Sequence, residues 1–358
     1  MLRIYTSSQI KQLNQKLLEL IQDPKIWKNP FESPVAIFSD SKIEQWFKMF
    51  WMKNSPADSP VLMNLQSRQL EAFLFEEVGN AVNRESENHF FYRNSSTELI
   101  RDLIVAKLTE KDANGNYFLE TLNSPDVTGY IKNNDSINEV HLFDFAGTMA
   151  KIFCGYETTR PDGFISRWTS GLNYFDHEED DKKNIETWQR KLYCALFNED
   201  FVVDRIHYIS LARLAEKNRN DNGGQIKFLK KQAPVFIYGF VGMGQLYRSL
   251  IHEYARTNDV YLFMQNDDRE NHPLTKKWAR HGKENFISLS KSTDAVEVSR
   301  LGPKGTDGSI KHEIRDSRLH ILQDEIFTDE SHPENYAKAD NLGISLTAVP
   351  SRLREIEV

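Results

Sequence analysis

Cysteine is nearly absent: only Cys154 and Cys194 occur in 358 residues, with no CxxC pair and no Cys/His cluster. That excludes a disulfide scaffold and zinc sites of the usual spacing, and it fits a reducing, cytoplasmic setting. The ten histidines show neither HExxH nor HxH spacing, so no metal site is expected. No apolar run reaches the roughly 18 residues of a membrane span, and residues 1–5 form a β-prone stretch rather than a basic leader. Positive charge is also lacking. With a net charge of −7, any nucleic-acid contact must come from a local surface and not from a global field.

A further absence concerns phosphate chemistry. The first strand-to-helix turn reads Tyr5-Thr6-Ser7-Ser8-Gln9, whereas a phosphate loop needs glycines for backbone N–H groups to wrap the phosphates and a lysine for the terminal ones. Hydroxyls alone remain at Thr6, Ser7 and Ser8, a degenerate nucleotide site without cradle or cation. The turn Ser39-Asp40-Ser41-Lys42 has no glycine either, and a lone lysine such as Lys42 is usually a surface helix residue.

What is present is a globular composition, 39% hydrophobic and 27% charged. Residues 2–6 read as a strand, with Ser7 or Ser8 capping a helix whose apolar face is Ile10, Leu13, Leu17, Leu18 and Ile21. Residues 34–38 form a buried-type strand followed by a helix bearing Ile43, Trp46, Phe47 and Phe50. A third strand at 61–65 leads to a helix with Leu70, Phe73, Leu74 and Val78. From about 80 to 222 the periodicity becomes helical, carried by Leu99, Leu103 and Ile104, by Leu142, Phe145 and Met149, by Trp188 and Leu192, and by Ile209, Leu211 and Leu214. The acidic stretch 176–181 reads as a solvated loop. Strands resume at 235–238 and 260–264. Residues 291–310 read as a loop, before a charged helix at 312–326, a strand at 344–348 and a helix starting at Pro350 that stops without a C-cap, as a truncated chain would.

The expected fold is therefore an α/β parallel sheet formed by residues 1–79 and 223–358, interrupted by an all-helical insertion at 80–222. Two local features compete for function. Gly239, Gly242 and Gly244 follow a strand and precede a helix, but their spacing is GxxGxG instead of the dinucleotide fingerprint GxGxxG. Lys42, Gln45, Trp46, Lys48, Trp51 and Lys53, with Asn64, Gln66, Ser67, Arg68 and Gln69, suit single-stranded DNA, where bases stack on rings and cations meet phosphates. For Trp46 and Phe47 a core role is the more common one. Pro161-Asp162 lacks the second acid and the lysine of a metal nuclease, so no catalytic residue is expected.

Several segments carry a resemblance when taken in order: Leu2-Arg3-Ile4-Tyr5 with its serine turn, Asn29-Pro30-Phe31, Gln45-Trp46-Phe47, Tyr156 with Arg160-Pro161-Asp162 and Trp168, Tyr238-Gly239-Phe240, His272-Pro273-Leu274 with Trp278, and Arg354-Glu355-Ile356-Glu357. Together they resemble the N-terminal part of the RecC family, the gamma subunit of exodeoxyribonuclease V in the RecBCD helicase-nuclease. The resemblance implies a superfamily-1 helicase-like sheet, P-loop-NTPase-like but degenerate and ATP-inactive, with no cofactor. It also implies a heterotrimer with RecB-like and RecD-like motor subunits, a role in double-strand-break repair by homologous recombination, and recognition of Chi-type hotspots in unwound single-stranded DNA. DNA contacts would then fall at Ser39, Ser41, Gln45, Gln69, Phe75, Lys151, Cys154 and Arg160. Of these, Gln45 and Arg160 keep the residue type the family leads one to expect. Lys151 and Cys154 stand where acidic side chains are expected, exchanging hydrogen-bond acceptors for a cation and a thiol. The alternatives are a nucleotide-binding enzyme using the turn from Gly239 to Gly244, or a pure protein-interaction scaffold.

Overall fold

The computed structural model describes residues 1–27, 31–54, 65–82, 91–133, 136–175, 180–197, 201–203, 206–266, 279–291 and 296–301. The chain opens with β1 (Leu2–Ser7), α1 (Ile10–Gln22), β2 (Val35–Phe38), α2 (Ser41–Asn54), β3 (Gln66–Arg68) and α3 (Leu70–Val82). A second stretch holds β4 (Phe91–Asn94), α4 (Thr97–Thr109), α5 (Phe118–Thr121), α6 (Pro125–Ile131), β5 (Lys132–Asn133), β6 (Ser136–Ile137) and α7 (Glu139–Thr159). A π-helical turn (Pro161–Ile165) then leads to α8 (Ser166–Thr169), α9 (Asp180–Phe197), β7 (Phe201–Val203) and β8 (Ile206–Ile209). The last part comprises α10 (Leu211–Asp221), β9 (Val235–Tyr238), α11 (Gln245–Thr257), β10 (Val260–Gln265), α12 (Arg280–Ser290) and β11 (Val296–Arg300).

Six strands pair in the order β11-β1-β10-β9-β2-β3, all parallel. Parallel strands covered on both faces need continuous apolar sequence, and β9 (Val-Phe-Ile-Tyr) and β10 (Val-Tyr-Leu-Phe-Met) supply it at the centre. The alternation of side chains sorts the two faces. Leu2, Ile4, Ile37, Val235, Ile237, Val260 and Leu262 join an aliphatic core beneath α3, α10 and α11. Phe38, Phe236, Tyr238, Tyr261 and Phe263 point the other way, against α1 and α2. On that second face Tyr5, Phe263, Tyr238 and Phe38 follow one another across four strands at centroid spacings of 5.4, 5.8 and 6.1 Å. Such ring pairs add to the area they bury.

A separate core lies in the second stretch, where Ile100, Ile104, Leu142, Met149, Phe153, Phe164, Trp168, Leu192 and Tyr193 pack together. One of the carboxylates buried near these rings, Glu186, has three donors. Glu186 accepts from Trp168 Nε1 at 2.7 Å and from the Tyr174 and Phe175 backbone N–H groups at 2.5 and 2.8 Å.

The expectation that 80–222 is all-helical is not met. β4, β8 and β7 form a three-stranded sheet and β5 pairs with β6. These strands are two to four residues long, too short to display an alternation, and Ile209 ends a strand although its spacing to Leu211 and Leu214 looks helical. α10, moreover, contributes Leu211, Leu214 and Ala215 to the aliphatic core of the six-stranded sheet. A third strand lies at Gln66–Arg68, a polar edge strand that among the described residues pairs with β2 alone, so no apolar run marks it; of the expected strand at 61–65 only Leu65 is described. Residues 296–300, expected within a loop, form the opposite edge strand, whose half-exposed face hides the apolar signal. Ser7 and Ser8 do not cap α1: Ser7 belongs to β1, and Gln9 holds the cap position with no side-chain cap bond. Asn29-Pro30, residues 61–64 and 176–179, His272 to Trp278, the expected elements at 312–326 and 344–348, and everything from Pro350 lie outside the described residues.

Candidate functional site

Because all six strands run the same way, every strand-to-helix turn lies on one edge of the sheet. After β1 that edge is closed by the protein itself. Thr6 and Ser7 are buried. The Ser7 hydroxyl donates to Gln12 Oε1 at 2.6 Å and accepts from the Gln9 backbone N–H at 3.0 Å. The Ser7 carbonyl accepts from Asn266 N, the Thr6 carbonyl from Leu301 N, and the Ser8 carbonyl from Gln265 Nε2. Of the donors a phosphate could use at this turn, the Ser7 hydroxyl and the Gln9 N–H are thus engaged internally.

The glycine turn after β9 is likewise filled. Gly239 takes φ +84°, which only glycine adopts without strain, and a Cβ there would lie 3.0 Å from Ser39 Oγ. A Cβ on Gly244 would lie 2.6 Å from the Thr158 carbonyl oxygen, on the last turn of α7. Gly239 and Gly244 thus make room for neighbouring chain, while Gly242 faces open space. Nothing here supports the nucleotide-binding alternative.

An opening does occur between β2 and β9, where the chain departs in opposite directions, from β2 outward to β3 and from β9 inward to β10. Open parallel sheets bind ligands at such switch points, outside the carboxyl ends of the strands. A cleft of about 410 Å³ lies there, lined by Ser39, Asp40, Ser41, Glu44, Ser67, Arg68, Gln69 and Phe240. Asp40 caps α2, accepting from Lys42 and Ile43 N–H at 2.7 and 3.0 Å. Glu44 pairs with Lys48 at 2.6 Å, and this bond, with one from Ser67, holds its carboxyl below the usual range against a smaller effect of burial. Arg68 pairs with Glu76. The Ser39 hydroxyl is sealed from solvent without a hydrogen-bond partner among the described residues. With Phe38 and Leu70 also in its wall, the cleft mixes apolar and polar lining, and its one lining cation, Arg68, is paired with Glu76, so it is suited to bases more than to phosphates.

Three expected contact residues, Ser39, Ser41 and Gln69, share this cleft, and Gln45 is exposed one turn further along α2. Trp46 is 39% exposed beside it, whereas Phe47 and Trp51 are buried at 0% and 4%. Trp51 is thereby corrected from a stacking candidate to a core residue, because the position four after Phe47 returns to the same helical face. Phe75 packs against the aliphatic core instead of lining the cleft.

Lys151, Cys154 and Arg160 come from the second half of α7. Lys151 and Arg160 are exposed; Arg160 is the helix's C-cap residue, its N–H donating to the Tyr156 carbonyl. Cys154 is half-buried with Sγ 3.9 Å from Thr97 Oγ1, and burial first, then the charge of Glu157, pushes its thiol up, so it is not a reactive thiolate. α7 reaches the sheet through Thr158, which lies against Gly244 and beside the Tyr247 hydroxyl; Tyr247 also hydrogen-bonds Glu71 on α3. Glu71 and Tyr247 were not singled out from sequence. Each sits in the first turn of a helix directly after a candidate turn, but nothing in the chain says that the two turns meet.

The same end of α7 is also anchored by a buried carboxyl. Glu157, fully buried, accepts from the Tyr193 hydroxyl at 2.6 Å, with Ser210 also bonded and Arg213 nearby; desolvation dominates and raises its pKa. A carboxyl whose folded pKa lies above its unfolded value favours folding below the unfolded pKa, near 4.5, and loses that contribution as pH rises through the folded value. Glu157→Gln should therefore flatten the pH dependence of stability. The stability of the natural chain relative to this variant is expected to fall from pH 4.5 upward in denaturant titrations, and an equal pH slope in both proteins would refute it.

Among the described residues no group of three or more His, Cys, Asp or Glu is placed to hold a metal ion, and no helix is long and apolar enough to cross a membrane. Among curated proteins no match was found. The family model described as RecC, N-terminal domain, matches residues 2–329. That match spans nearly the whole chain, so the chain belongs to the RecC N-terminal domain family.

Proposed function

We propose that this chain is the front part of a subunit that does no chemistry of its own, guiding single-stranded DNA unwound by RecB-like and RecD-like motor partners and reading Chi-type hotspots in it. Membership in the RecC family places it with the gamma subunit of the RecBCD complex, in DNA repair and recombination. One observation carries the guiding role. The sheet edge where a motor would hold nucleotide is closed after β1 by internal hydrogen bonds, while a cleft of mixed polar and apolar lining opens between β2 and β9. In this proposal Ser39, Ser41, Gln45 and Gln69 face bases and Lys151 and Arg160 meet the backbone. Cys154 and Phe75 contribute only through packing. We also propose that the sheet residues form a degenerate helicase-like unit and that 80–222 is its insertion, with α10 belonging physically to the sheet side.

Anisotropy titration of labelled single-stranded oligonucleotides tests this. Gln45→Ala is expected to weaken binding a few-fold, the loss of a hydrogen bond of about 0.5–1.5 kcal/mol. Arg160→Ala is expected to weaken binding for all sequences and to lower the salt slope by about 1. Tight ATP binding that disappears in Ser7→Ala would overturn the proposal, as would the absence of any oligonucleotide binding, which would leave a docking scaffold.

A further inference from the structure

A polar junction stands apart from the β2–β9 cleft, where the first turns of α3, α4 and α11 meet α7. Its centre is Glu71, exposed on α3. Asn94 Nδ2 donates to Glu71 Oε1 at 3.0 Å, and the Tyr247 hydroxyl bonds the same carboxylate. Across from it Cys154 and Thr97 lie 3.9 Å apart, and Thr158 donates to the Cys154 carbonyl at 2.8 Å. Lys151, exposed, precedes Cys154 by one turn on the same face of α7. An ionised carboxylate has about four acceptor positions; two are filled here, and the two donors hold its plane in place.

We infer that Glu71, oriented by Asn94 and Tyr247, is a specificity-determining residue that accepts hydrogen bonds from an unstacked guanine, with Lys151 beside it for the flanking phosphate. This rests on the proposed reading of single-stranded DNA and names the chemistry of one position in it. Guanine is the base that presents two adjacent N–H donors, N1–H and N2–H, to two carboxylate oxygens. Thymine offers one N–H between two carbonyls, which a carboxylate repels. The negative charge also repels phosphate, so the group selects a base edge and not the backbone. Single-stranded recognition works through splayed bases read on such edges.

The test uses the 358-residue chain and three oligothymidylates carrying guanine, inosine or thymine at the centre. Inosine keeps N1–H and lacks the N2 amine. The natural chain is expected to prefer guanine over both others by about tenfold, the range of one bidentate base contact. Glu71→Gln should abolish that preference while changing affinity for the all-thymine strand less than about threefold, the cost of one lost contact elsewhere. Tyr247→Phe, which leaves the carboxylate in place but frees its orientation, should reduce the preference and keeps the test decisive if Glu71→Gln does not fold. Binding with no preference for guanine, or a preference that survives Glu71→Gln, overturns the inference alone. Failure of every oligonucleotide to bind overturns the DNA-guiding proposal beneath it.

Discussion

Trp168→Ala is expected to destabilise the chain by about 3–5 kcal/mol, the range for truncating a large buried aromatic. Trp168 is fully buried among Phe164, Tyr193, Tyr156 and Phe153, at centroid distances of 5.0, 5.6, 5.8 and 6.4 Å. The truncation empties the centre of this cluster and also removes the indole N–H that donates to buried Glu186. Two backbone N–H groups still bond that carboxylate, so the damage is mainly a cavity and not an orphaned charge. Trp168→Phe, which keeps most of the ring contacts, should cost clearly less. The core around Trp168 is distinct from both cores of the six-stranded sheet, and the loss should therefore be local. Hydrogen exchange is expected to accelerate in α7 and α9 while β9 and β10 stay protected; equal acceleration in the central strands would show that the two parts unfold as one.

Gly244→Ala is the second large effect, and its cause is contact, not conformation. The added Cβ would stand 2.6 Å from the Thr158 carbonyl oxygen and 2.7 Å from its Cγ2. Backbone cannot swing aside as a side-chain tip can, so the end of α7 must retreat from α11, at about 1–3 kcal/mol. Gly242, two residues earlier, has no atom within 4 Å of its Cβ position and no positive φ; Gly242→Ala should change stability by less than about 0.5 kcal/mol. A turn that cradled phosphate would need both glycines alike. Midpoints of urea unfolding for the two variants separate the cases, since a large loss for Gly242→Ala would mean that the turn answers to something other than α7. Because α7 carries Lys151, Cys154 and Arg160, Gly244→Ala should also weaken oligonucleotide binding where Gly242→Ala leaves it intact.

Strands β2, β9 and β10 were legible because strands buried on both faces are written as continuous apolar runs, and β1 because Leu2 and Ile4 alternate in a β-prone stretch. The edge strands β3 and β11 were not, since Gln-Ser-Arg and Val-Glu-Val-Ser-Arg look the same whether they pair or wander. Trp46 and Trp51 looked equivalent on paper, and only the packing of α2 on the aromatic face of the sheet put one outside and the other inside. The polar turn at Ser39 and Ser41 was readable as a candidate from its position after a strand. That it faces Gln69 across a cleft depends on β3 lying beside β2.

The missing phosphate loop at Thr6 to Ser8, the absence of metal-ligand spacing and the ordered family segments were all properties of the sequence by itself, because each is a statement about which residue types are present at which spacing. The order of the strands, the opening between β2 and β9 and the meeting of Glu71 with Tyr247 were decided only by the tertiary structure. Contacts between residues far apart in the chain follow from how helices stack on a sheet, and no local pattern records them.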